Sequence, residues 1–203
     1  MNQSSDLTPS LNSLFEDLNH PNPNINIKAY IKMNEYWPEE SMERLINNLD
    51  SKDIILRRKS IKALGCFGEK VLLPVSNLFF KSKDIVSRVS CLKILVLVAS
   101  DINLQSLRPE VMDIIQLALN DDSAEMILTL VSFLKQIGSI GIPLLKNCCR
   151  DVNVLRARAS VTAIGEINEP CIKKFLRELM EDNSVDIMVR EAARESLGVG
   201  INL

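Results

Sequence analysis

Apolar positions along the chain recur at the spacing of an amphipathic helix, and they recur in blocks. In Asp53–Gly65 (DIILRRKSIKALG), Ile54, Ile61 and Leu64 share one face, and in Asp151–Gly165 (DVNVLRARASVTAIG), Val154, Val161 and Ile164 do the same. Asp84–Val96, Ser123–Gly138 and Ser184–Gly198 follow that layout: a polar opening, usually an Arg, then apolar residues to a small or apolar end. Upstream of each lies a second apolar-periodic stretch, at Ser41–Leu49, Val71–Phe80, Pro109–Leu119, Ile142–Cys149 and Pro170–Met180. Several of these begin at or near Pro, whose missing N–H costs nothing in a first helical turn. Asp53, Asp84, Ser123, Asp151 and Ser184 stand where the second helices need N-caps.

The pattern predicts a helical hairpin repeated at intervals of 27 to 33 residues, with a wider gap of 42 from Val96 to Gly138 that implies an inserted loop around Ser100–Arg108. A further copy spans Leu11–Tyr36, with its turn at His20–Asn24 (HPNPN). Six hairpins that each bury one side must stack on one another. The expected fold is therefore all-α, a right-handed α-α superhelix with a continuous core and a concave inner face over residues 11–203, preceded by a disordered tail at 1–10. The C-terminal GVGINL makes a poor polar end cap, so a partner contact is expected there.

Composition narrows the function. The chain has 203 residues, 46% apolar and only 4% aromatic, with seven Gly, which suits stacked Leu/Ile helices better than a sandwich or barrel. A net charge of −2 argues against nucleic acid as a partner, because phosphate binding calls for a basic excess. The apolar runs are far shorter than the roughly 20 residues of a membrane span, so no membrane insertion is expected. Residues 1–10 show no secretory pattern and five Cys cannot all pair within the chain, which together lead to the expectation of a reducing cytoplasm.

Candidate chemistry is sparse. The single His, His20, reads as a turn residue, so no Ser/His/Asp or Cys/His set exists and no catalytic residue stands out. Cys66, Cys91, Cys148, Cys149 and Cys171 form no CxxC pair; they read as buried structural thiols, and no metal site is expected. Among the Arg residues, Arg57, Arg88 and Arg190 read as rungs that pair with turn Asp residues of successive hairpins, or alternatively as carboxylate clamps. Arg58 and Lys62, with Lys93, Lys135, Arg158 and Glu166, fall off the packed face and are expected on the concave side or on a solvated surface. Tyr30, Tyr36 and Trp37 cluster in a chain poor in aromatics; they read as a stacking or partner-anchoring group, or with Trp37 as the cap of the first core. Glu39 and Glu40, after Pro38, read as first-turn acids or as proton donors.

Three strings carry a family resemblance. Val189-Arg190 to Leu197-Gly198 fits VR-x-x-A-x-x-x-LG, with looser copies at Leu56–Gly65 and Leu155–Gly165, and resembles the HEAT-like repeats of phycobilisome bilin lyases. LFEDLNHPNPN at Leu14–Asn24 resembles an opening of that family, and the block from Tyr36 to Gly65, with WPEESM, resembles its Z-type phycoerythrin lyase/chaperone subunits. The third and fourth copies depart from the pattern, having lost its small residues, and the fourth lacks the Arg at its second-helix start.

The resemblance implies a helper or chaperone-like subunit in attaching an open-chain tetrapyrrole, phycoerythrobilin, to a phycoerythrin cysteine. The bilin would be a transient ligand and no permanent cofactor is implied; the partners would be phycoerythrin subunits and a larger HEAT-repeat lyase subunit. The attacking thiolate belongs to the acceptor, so this chain needs no nucleophile. Tyr30, Tyr36, Trp37, Arg58, Lys62, Lys93 and Arg158 are then the candidate bilin- or partner-binding residues. Two other readings stand beside it: a lyase or isomerase in its own right, and a HEAT-repeat scaffold with no pigment role. A HEAT-type DNA glycosylase is disfavoured by the net charge.

Overall fold

The computed structural model describes residues 8–100, 108–167 and 169–198. Among them the chain is all-α, with twelve helices in consecutive antiparallel pairs and no strand. Two compact units divide it, Met1–Ile102 and Asn103–Leu203. The first holds α1 (Leu11–Asn19), α2 (Pro23–Tyr36), α3 (Pro38–Asn47), α4 (Ile54–Gly65), α5 (Leu72–Lys81) and α6 (Ile85–Val98). The second holds α7 (Pro109–Leu119), α8 (Ala124–Gln136), α9 (Gly141–Cys148), α10 (Val154–Gly165), α11 (Pro170–Glu181) and α12 (Ile187–Ser196). The expected loop near Ser100–Arg108, most of the tail and GVGINL lie wholly or largely outside the described residues. Pro9 and Ser10, the described end of that tail, are engaged rather than loose: the Trp37 indole donates to the Pro9 carbonyl at 2.9 Å, and the Ser13 N–H donates to Ser10 Oγ.

In each unit the hairpins stack as repeats, chiefly through their second helices: α4 packs on α6 in the first unit, and α10 packs on both α8 and α12 in the second. Each hairpin interior is apolar, with Leu18 and Met33, Leu45 and Leu64, Phe79 and Leu92, Ile115 and Leu130, Leu145 and Ile164, and Leu176 and Val189 all buried. Burying each such side chain contributes about 1.5–3 kcal/mol, which no single hairpin could do without neighbours. Close approach of the second helices rests on glycine. A Cβ on Gly165 would stand 2.6 Å from Ser196 Cβ of α12, and one on Gly65 would stand 3.0 Å from Leu97 of α6. Gly138 and Gly198, equivalent to them in the sequence pattern, do a different job, turning the chain with φ near 55° and 69°.

Pro opens α3, α7 and α11, at or near the expected starts, and it also opens α2, where Pro23 was expected to lie in the turn His20–Asn24. Asp53 and Asp84 cap α4 and α6, accepting from Leu56 N–H and Ser87 N–H respectively. Two expected caps are displaced by two residues: α10 is capped by Asn153 rather than Asp151, and α12 by Asp186 rather than Ser184. For α10 the reason is that the turn begins with its own hydrogen bond, accepted by Asp151, and each of the other turns begins the same way. Ser51, Ser82, Asp121, Asp151 and Asp182 each accept, through a side-chain oxygen, the N–H two residues on. In α8 the expected cap, Ser123, is in place but makes no side-chain capping bond.

Candidate functional site

The second helices of the second unit present a groove between α8 and α10. On α8, Leu128, Val131, Ser132 and Lys135 lie at i, i+3, i+4 and i+7; on α10, Leu155, Arg158, Ala159, Thr162 and Glu166 continue the same spacing just past the helix end. Between them is a trough of about 630 Å³. Its walls are mainly aliphatic, with Leu128 51% and Leu155 41% exposed, so apolar surface here remains open to a ligand. At one end Lys135 and Glu166 form an ion pair across the two helices. Arg158 projects from α10 with its guanidinium unpartnered among the described residues. The trough thus offers an elongated apolar floor, hydroxyls from Ser132 and Thr162, and one cation ready for a carboxylate. No Cys or His is among its lining residues.

Arg158 owes its freedom to its place in the helix. Two residues upstream, and so about 200° around the axis, Arg156 turns inward and is only 5% exposed. Its Nη1 donates to Asp151 of its own turn at 2.9 Å, and its Nη2 to the Asp121 carbonyl at 2.9 Å and Asp122 at 3.2 Å in the preceding turn. Nearby, Asn153 Nδ2 donates to Asp122, and Arg150 pairs with Asp182 of the following turn. The Ser184 hydroxyl and Arg150 together hold the Asp182 carboxyl down at about 2.

The ladder of Arg and turn Asp is therefore strongest at Arg156. At the three positions where it was expected, other contacts are seen. Arg57 donates to the Ser51 carbonyl at 2.6 Å, close enough to Asp84 for its charge to help keep that carboxyl low. Arg88 lies over the Phe79 ring at 4.5 Å, and Arg190 donates to Asn183 Oδ1 at 2.8 Å.

The other candidate residues lie in the first unit. Arg58 and Lys62 point outward one turn apart on α4, and Lys93 is half-buried on α6. Counted from the Gly that ends each helix, Arg58 stands where Arg158 stands on α10. The aromatic residues do not form one exposed cluster. Tyr30 is buried, 5% exposed, and burial raises its pKa; Tyr36 is exposed; Trp37 is half-buried at the joint of α2 and α3 with its indole committed to Pro9. His20 is a turn residue, its Nδ1 accepting from Asn22 N–H at 3.0 Å. Glu39 and Glu40 lie in the first turn of α3, where the helix dipole favours them.

The thiols divide. Cys91, Cys148 and Cys149 are buried, and burial pushes Cys91 and Cys149 up to about 12. Cys66 and Cys171, expected to be buried, are exposed as residues: Cys66 follows the end of α4, its thiol partly covered, and Cys171 lies in the first turn of α11. No cluster of His, Cys, Asp and Glu able to hold a metal occurs among the described residues. No helix among them is long and apolar enough to cross a membrane.

No family model matches the chain. It is 26% identical over 175 residues to the bilin biosynthesis protein CpeZ of Synechococcus sp. (strain WH8020), covering 83% of this chain and 94% of that one. It is also 26% identical over 189 residues to the uncharacterized phycocyanin operon protein Z of Pseudanabaena tenuis (strain PCC 7409), covering 93% and 94%. A designed armadillo repeat protein superimposes with a TM-score of 0.43 at 16% identity, over 93% of this chain and 99% of that one. The resemblance to Z-type bilin-lyase proteins read from the repeats and the WPEESM block is borne out over most of the chain.

Proposed function

We propose, for a chain that resembles the Z-type bilin-lyase family along most of its length, a role in bilin attachment as a subunit that holds an open-chain tetrapyrrole for transfer to a phycobiliprotein. The observation that carries the reading is the α8–α10 trough, an apolar floor with an Arg158 unpaired among the described residues and no Cys or His in its lining. An open-chain tetrapyrrole is elongated, apolar along its rings and carries propionates, so its body would lie against Leu128, Val131 and Leu155 while Arg158 takes a carboxylate. Thioether formation is an addition: the acceptor's sulfur bonds to a vinylic carbon of the bilin and the thiol proton passes to the neighbouring carbon, with no oxidant or reductant. Catalysis asked of this chain is then orientation and exclusion of water. The finer reading is a helper of a larger lyase subunit, with phycoerythrobilin as the pigment and phycoerythrin as the acceptor.

The test is to mix the purified chain with phycoerythrobilin and each apo-phycoerythrin subunit, with and without a lyase partner, and follow absorbance and fluorescence. A helper binds the pigment non-covalently and raises the adduct yield only with the lyase. Covalent transfer by this chain alone would make it the lyase itself, and binding to neither pigment nor subunit would overturn the reading. Arg158→Ala is expected to weaken pigment binding about tenfold, the worth of one charge-assisted hydrogen bond at a partly open site.

A further inference from the structure

A second groove, independent of the pigment reading, lies in the first unit between the first helices α3 and α5. These two hairpins meet through α4 and α6, and the gap left between α3 and α5 encloses about 570 Å³. Its floor is Met42, Ile46, Pro74 and Leu78. One wall is acidic: Glu39 and Glu43, one turn apart on α3. The opposite wall is basic: Lys70, just before α5, and Lys81 at its end. All four charged residues are exposed, and among the described residues no ion pair joins the walls; Lys70 donates to Asn34 Oδ1 at 3.4 Å. The two walls thus present opposite charges to whatever enters the groove. The floor between them is half-buried rather than sealed, with Ile46, Pro74 and Leu78 partly open.

We propose that this groove docks an amphipathic helix of a partner protein, seating its apolar stripe on Met42, Ile46, Pro74 and Leu78, its basic edge against Glu39 and Glu43, and its acidic edge against Lys70 and Lys81. Helix-in-groove recognition seats the apolar face of an amphipathic helix in a hydrophobic trough, and here Met42 and Ile46 on α3 face Pro74 and Leu78 on α5, one turn apart on each helix. The charged walls add what an apolar trough lacks. A helix with one basic and one acidic edge fits in a single direction, because reversing it along the groove brings like charges together. A uniformly basic or uniformly acidic helix satisfies one wall and is repelled by the other.

The experiment uses the full chain and three fluorescent helical peptides with the same Leu/Ile stripe: one with a Lys edge and a Glu edge, one with two Lys edges, one with two Glu edges. The two-signed peptide is expected to bind about tenfold more tightly than either of the others, in a salt-sensitive way. The double variant Glu39→Lys/Glu43→Lys makes both walls basic and is expected to move the preference to the two-Glu peptide. Lys70→Glu/Lys81→Glu makes both walls acidic and moves it to the two-Lys peptide. Circular dichroism melting shows that each variant is folded, and because the two act from opposite walls, loss of one fold leaves the other as the test. Equal binding of the three peptides, no binding of any, or an unchanged preference in a folded variant would overturn the proposal. So would salt-sensitive self-association of the unmodified chain, abolished by either variant in sedimentation, since the occupant would then be a second copy.

Discussion

Ser87 and Arg156 occupy the same place in the two units, each third in its helix after the capping Asp84 or Asn153, and each reaches back to an acid in the preceding turn. In the first unit a short hydroxyl does this: Ser87 Oγ lies against both Asp50 and Asp84, and its single proton serves one carboxylate at a time. In the second unit a guanidinium spans the gap and serves Asp151, Asp122 and the Asp121 carbonyl at once. A hydroxyl requires the neighbouring acid to come to it; an arginine carries its donors across and tolerates a wider turn. The same stacking problem is thus solved by close approach in one unit and by buried charge in the other, and the second solution fails harder when its partner is removed.

The largest expected effect follows directly. Arg156→Ala should destabilise the second unit by about 2–3 kcal/mol, below the full cost of stranding a buried charge because Asp151 and Asp122 keep access to water. The cysteines report where the loss falls. In pulsed thiol labelling, Cys148 and Cys149 should become reactive in this variant at denaturant concentrations where Cys91 stays protected; simultaneous exposure of all three would show that the units do not differ in this way. Before unfolding, only Cys171 and Cys66 should react, Cys66 more slowly because burial raises its pKa.

Gly165→Ala comes next, at about 1–3 kcal/mol, since the new methyl collides with Ser196. Adding Ser196→Gly, which removes the colliding atoms, should recover much of that loss in urea melts; no recovery would deny that close α10–α12 approach is what the glycine provides. Ser87→Ala in the first unit should cost about 1–2 kcal/mol, less than Arg156→Ala, as one hydroxyl is lost and no charge is stranded deep in the core.

The smallest effect is one of pH. The Asp182 carboxyl is held at about 2, below its ordinary value of 3.8, so its contribution is present above pH 3.8 and lost as pH falls through 2. Stability against urea should therefore fall over that acid interval with one proton more bound by the unfolded chain, and Asp182→Asn should remove that increment. An unchanged acid limb in the variant would mean that the Arg150 and Ser184 contacts do not hold in solution.

Much of the fold was legible because helix periodicity is local. The helix pairs, the Pro starts and α7, which runs from Pro109 to Leu119 as expected, follow from residues a few positions apart. The caps of α10 and α12 were misplaced because Asp151 and Ser184 look like caps; only in three dimensions is Asp151 already engaged by Asn153 N–H and Arg156, while Ser184 is held by Asp182. Of the candidate site, Lys135, Arg158 and Glu166 were legible as residues leaving the packed face, and they meet in one groove. Leu128 and Leu155 were missed, since an apolar residue on a helix is first assigned to the core. Their signal was present: each is one apolar position more than the buried stripe of its helix requires.

The sequence by itself determined that this chain is a run of helical hairpins, because apolar spacing, Pro and turn residues act over a single helix and its loop. It also carried the family resemblance, which resides in short strings. Which arginine is buried and which is free, which glycine turns the chain and which admits a neighbouring helix, and which charges face one another across a groove were decided by the tertiary structure. Each depends on residues about thirty or more positions apart, such as Arg156 with Asp122, Gly165 with Ser196, and Glu43 across from Lys81, and no periodicity along one helix encodes the distance between two.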